Sequence, residues 1–256
     1  MGGQAPVVQR IRIRYAKRGP LRFTSHRDFA RAFERALRRA AVPIAFSQGF
    51  TPHPKISYAS AAPTGVASEA EYLEIGLQAQ VDPDQLRAAL DAALSPGLDV
   101  LDAVVAGTGS LADRIDASRW LLELPGVGPA VARAAVEKFL AADEVLVERM
   151  TKQGRCSFDT REAVTSFVVS EQSAAPSGAT AAPCAIIDLV VRQVTPAVRP
   201  DDVLSGLRVV AGLEPPVPPR ATRLAQGRLI QSTSTSPVEI VDPLDADRED
   251  DPIGGR

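Results

Sequence analysis

VVQRIRIRYAK (residues 7–17) and SHRDFARAFERALRRA (residues 25–40) together decide the reading of the fold. In the first, Ile11, Ile13 and Tyr15 occupy alternate positions, the period of a strand with one buried face. In the second, Ser25 precedes Phe29, Ala32, Phe33, Ala36, Leu37 and Ala40, which recur at helical spacing. Asp28 completes an acidic variant of the capping box at the start of that helix. At about 100° per residue, Arg27, Arg31, Arg35 and Arg38 gather on the face opposite the apolar side chains.

The pattern continues outward. After Pro43 an extended stretch runs to Ser60, interrupted at GFTPHP (residues 49–54), and EYLEIGL (residues 71–77) reads as a strand. A helix opened by Asp82 and Pro83 closes at Gly97, and LDVLDAVVA (residues 98–106) is a further strand. The order βαββαβ is that of the split βαβ, or ferredoxin-like, unit. The second half repeats it more loosely. RWLLELPG (119–126), EVLVERM (144–150), AIIDLVVRQV (185–194) and ATRLAQ (221–226) read as strands. Residues 128–142 and 200–211 read as helices, and SFDTREAVTSFV (157–168) as a short helix capped by Asp159 and Glu162. The expected class is α+β: two ferredoxin-like (βαββαβ) halves packed together, residues 8–107 and 118–228. Residues 171–183 form a flexible insertion in the second half, and residues 230–256 a disordered acidic tail.

Charge is distributed unevenly. Between residues 10 and 55 stand twelve cations against Asp28 and Glu34, a net of +10 in a chain whose net charge is −2. Such a local cationic field attracts phosphate whatever the global balance. The two cysteines, Cys156 and Cys184, exclude a disulfide framework or a four-thiolate metal site within the chain. No apolar run reaches about 18 residues and no leader-like segment opens the sequence, so a cytoplasmic protein without a membrane span is expected.

The candidate anion-binding set is Lys17, Arg18, Arg22, His26, Arg27, Arg31, Arg35, Arg38, Gln48, Phe50, His53 and Lys55. Lys17, Arg18 and Arg22 lie before a helix N-terminus, whose free N–H groups and dipole favour an anion. His26 and His53, the two histidines of the chain, lie in the segments flanking that helix. Gln48 and His53 supply hydrogen-bonding groups on a loop stiffened by Pro52 and Pro54, and Phe50 offers a ring on which a base could stack. Glu34 and Arg38 form an ordinary i, i+4 pair. No ligand spacing points to a metal, and no cofactor is expected.

The run from RYAKRGPLRFTSHRDF through SQGFTPHPK to EYLEI resembles the radical-SAM-linked proteins, a domain of unknown function. Its members occur as separate chains or fused behind cobalamin-binding radical-SAM domains. Phe23, Ser25, His26, Asp28, Ser47 to Phe50, Pro52, Pro54, Gly65, Ser68 and Glu71 carry the resemblance. Genes for the separate form often lie near those of ribonuclease E/G or ribosomal proteins, so together with the basic segment the resemblance points to tRNA or rRNA modification or processing beside a radical-SAM enzyme or ribonuclease E/G. Two cysteines 28 residues apart cannot supply the three closely spaced thiolates of a radical-SAM cluster. The leading expectation is therefore an RNA-binding accessory protein rather than an enzyme. One alternative is an enzyme acting on RNA or a nucleotide with His26 as acid/base, since histidine titrates near neutrality. Another is a protein-interaction module that docks a radical-SAM partner.

Overall fold

Alternation in the first strand divides one basic segment between two environments. In β1 (Gln9–Lys17), Ile11, Ile13 and Tyr15 are buried in one apolar core, while Arg10, Arg12 and Arg14 alternate with them. The computed structural model describes residues 6–151, 154–170, 183–230 and 238–249. They form a sheet-rich α+β protein whose chain divides into two compact units, one running to Ile115 and resuming at Asp242, the other Asp116–Val241.

In the first unit β1 is followed by a 3-10 turn (Gly19–Phe23), α1 (His26–Arg39), β2 (Ile56–Ala59), β3 (Ala67–Leu77), α2 (Pro83–Ala93) and β4 (Val100–Val105). The strands lie in the order β4-β1-β3-β2, with each neighbouring pair antiparallel. Ser25 caps α1: its Oγ accepts the Asp28 N–H at 3.2 Å and its hydroxyl donates to Asp28 Oδ2 at 2.6 Å. Phe29, Phe33, Ala36 and Leu37 bury the inner face of the helix against Ile11, Ile13, Leu73 and Ile75. Tyr15 and Phe29 stack at 4.4 Å between ring centroids, fixing the helix on the strand beneath it.

The second unit contains β5 (Ala117–Pro125), α3 (Pro129–Ala141), β6 (Leu146–Thr151), β7 (Gly154–Asp159), β8 (Val164–Val169) and β9 (Cys184–Arg192). It continues with α4 (Pro200–Ala211), β10 (Arg220–Ile230) and β11 (Glu239–Val241). Its sheet runs β10-β5-β9-β8, antiparallel throughout, with β11 on β10 and β6 paired with β7 as a separate hairpin. Gly206 lets α4 approach α3, because a Cβ there would lie 2.7 Å from the Phe139 ring. The helix expected over residues 157–168 is absent. Asp159 instead accepts the N–H groups of Val145, Arg161 and Glu162, closing a turn. The β-branched and aromatic residues beyond it, Val164 to Val169, pair with β9.

The expected disordered tail needs the larger correction. Ile230 ends a strand, β11 pairs with Arg228–Ile230, and α5 (Asp245–Glu249) follows. The rest of residues 230–256, and residues 171–182 of the insertion, lie outside the described residues. The acidic segment is ordered because its charges meet cations of the first unit. Arg12 Nη1 donates to both Asp247 oxygens, at 2.8 and 3.0 Å, and Arg114 Nη1 lies 2.8 Å from Asp247 Oδ2. Arg14 and the Tyr72 hydroxyl donate to Asp242 at 2.9 and 3.0 Å. Leu244, fully buried, joins Ala59, Ala70, Tyr72, Leu111 and Ile115 in a second small core.

Asp247 has no exposed side-chain surface. Asp247→Ala should therefore lower unfolding free energy by about 3–5 kcal/mol, the cost of breaking the buried pair with Arg12 and the contact with Arg114 from one side. Asp245→Ala, at a half-exposed position, should shift it by no more than about 0.5 kcal/mol. Urea denaturation of both variants measures the difference, and equal small effects would show that residues 242–249 contribute nothing to the first unit.

Candidate nucleic-acid interface

The first unit sorts its cations into two groups. On β1, Arg10 donates to Glu74 at 2.8 Å, and Arg12 Nε donates to the other oxygen of the same carboxylate at 2.9 Å. Arg14 is held by Asp242, and Arg18 donates to Glu69 and Asp99, each at 2.7 Å. The paired carboxylates hold the Arg18 guanidinium even more firmly protonated than usual. Lys17 is buried, its Nζ 3.5 Å from the Ala62 carbonyl and 3.4 Å from that of Pro63. Lys17 and Arg18 are thus held internally by the fold.

The second group lies on α1. Arg27, Arg31, Arg35 and Arg38 are exposed, and among the described residues none of the four has an ion-pair or hydrogen-bond partner. Glu34 is half-buried and makes no ion pair with Arg38. Arg22, in the turn before the helix, places its guanidinium carbon 4.6 Å from the Phe23 ring centroid. The result is a helix face with four unneutralised guanidinium groups, each able to hold a phosphate by paired N–H donors.

The two histidines do not form one pocket. His26 opens α1 and meets the Tyr58 ring edge-on, with centroids 4.7 Å apart. The His53 N–H donates to Ser47 Oγ at 3.0 Å, in the segment leaving the other end of the helix. Fourteen residues of helix, a rise of about 20 Å, separate those ends. Gln48, Phe50, His53 and Lys55 are all exposed beyond the C-terminal end of α1. Tyr58 was not apparent from the sequence as a neighbour of His26. Its hydroxyl is buried without a hydrogen-bond partner among the described residues, and burial, reinforced by the Glu34 charge, pushes the phenol well above its ordinary range. No group of three His, Cys, Asp or Glu among the described residues is placed to hold a metal ion. No helix among them is long and apolar enough to cross a membrane.

The family described as "Uncharacterized protein conserved in bacteria (DUF2344)" matches residues 10–200. No curated protein matches the chain.

The sorting of cations can be measured directly. Limited modification by phenylglyoxal, read by peptide mass spectrometry, should label Arg27, Arg31, Arg35 and Arg38 early and leave Arg12 protected until the protein unfolds. Labelling of Arg12 at the rate of the α1 arginines would contradict the buried pairing.

Proposed function

We propose that this chain, which belongs to the uncharacterized bacterial family DUF2344, is a cytoplasmic RNA-binding accessory protein. It would present tRNA or rRNA to a modifying or processing enzyme, with a radical-SAM enzyme or ribonuclease E/G as the partner suggested by the sequence resemblance. The observation that carries this reading is the partition of the basic segment. Arg10, Arg12, Arg14 and Arg18 spend their charge on carboxylates of the same unit, while Arg27, Arg31, Arg35 and Arg38 keep theirs for solvent. Phosphates binding along that face would release condensed counterions, the main source of sequence-independent affinity for nucleic acid. The frame in this reading is ferredoxin-like, supported by the antiparallel order β4-β1-β3-β2 with its helices between β1 and β2 and between β3 and β4.

A second reading makes His26 an acid/base in an enzyme acting on RNA or a nucleotide. It is favoured by one observation, the contact of His26 with Tyr58, whose buried hydroxyl lacks a partner among the described residues. His26→Gln separates the two readings. An enzyme should lose about 10²-fold or more in turnover with binding intact, whereas a binding protein should still rescue the RNA phenotype of a deletion strain.

The binding reading has its own measurement. Arg31→Ala, Arg35→Ala and Arg38→Ala combined should weaken RNA binding without unfolding the protein, because those side chains point away from the core. Each lost phosphate contact should flatten the dependence of log K on log salt by about 0.7 for a single strand, so by about 2 for all three. Unchanged affinity and slope in a salt titration would return α1 to an ordinary solvated helix.

A further inference from the structure

Among the described residues, two of the Phe, Tyr and Trp side chains stand exposed, Phe23 at 59 % and Phe50 completely. Both flank α1. Phe23 lies in the turn that leads into Ser25; a Cβ added at Gly65 would sit 3.8 Å from its ring, and the Arg22 guanidinium lies over the ring. Phe50 follows Gly49, whose φ of +137° bends a loop held at its base by the pairing of Phe46 with Pro54. The arginine face of the intervening helix extends about 16 Å from Arg27 to Arg38 at 1.5 Å per residue.

Exposed apolar rings normally cost solubility, and surface phenylalanines at the two chain ends of a helix that carries unpaired arginines fit a ligand that is anionic along its backbone and aromatic in its substituents. A duplex presents phosphates but keeps its base faces stacked internally. An unpaired strand presents both. We infer that the ligand of this face is single-stranded RNA, with phosphates along Arg27, Arg31, Arg35 and Arg38 and bases stacked on Phe50 and on the Arg22–Phe23 pair. This inference rests on the RNA reading above and narrows it to unpaired segments such as loops, tails or processing sites.

The test compares two fluorescein-labelled probes by anisotropy at one salt concentration, a 12-nucleotide oligouridine and a 12-base-pair RNA duplex. The wild-type protein should prefer the single strand. Phe23→Ala and Phe50→Ala should each weaken oligouridine binding by about 5- to 100-fold while leaving its salt slope unchanged. Phe50→Trp should retain affinity, and duplex binding should respond to none of these changes. Both phenylalanines are exposed, so the variants should keep the wild-type melting temperature. Phenylalanine variants that weaken neither probe, or both alike, would overturn the inference; if the triple arginine variant still lost affinity, the RNA reading would survive. A wild-type protein that binds neither probe would overturn both.

Discussion

One buried carboxylate, Asp247, ties the first unit together. It receives Arg12 from β1, lies against Arg114 at 2.8 Å and accepts the Gly107 N–H at 2.9 Å. Removing such ions from water costs several kcal/mol each, and the pair is tolerable only when nearly every donor and acceptor is used. That condition is met closely. Arg12 spends Nε on Glu74, Nη1 on Asp247 and Nη2 on the Gly109 carbonyl. Residues 107–114 and 242–249 therefore help to complete the far face of β1, beside Glu69 and Glu74, and the small core around Leu244 and Tyr72 includes residues of the same segments.

This constraint also shapes the surface. A segment with a net of +10 would repel itself if its charges stood together. The alternation of β1 sends Arg10, Arg12 and Arg14 to the face that receives Glu74, Asp242 and Asp247. The helical period sends Arg27, Arg31, Arg35 and Arg38 to a face that receives no acid among the described residues. Two secondary-structure periods acting on one arginine-rich run thus separate structural cations from available ones.

Much of this was legible in the sequence. The capped helix at Ser25 and its buried face appear as expected, and the helix read over residues 200–211 is α4. What the sequence hid were relations between distant residues. The pairing of Arg12 with Asp247 spans 235 positions, so a run such as DPLDADRED looked too polar to fold while its cations lay in the first strand. The same distance concealed which arginines were free. Residues 157–168 misled for a local reason: Asp159 caps a tight turn as readily as a helix, and only pairing with β9 decided between them. Residue order left open whether the two histidines that flank α1 meet, and the length of the helix keeps its two ends apart.

Because Arg12 is completed by Asp247, the first unit encloses the second within its own sequence, and its assembly is bound to the order of synthesis. At about 5–20 residues per second, the 235 positions between these partners take on the order of ten to fifty seconds to translate. Throughout that interval β1 is made but the Arg12 guanidinium lacks one of the two carboxylates that pair with it. Residues 116–241, by contrast, are contiguous and have all their strands in hand before Asp247 leaves the ribosome. The second unit is thus free to fold first, and the first to emerge is the last to be finished.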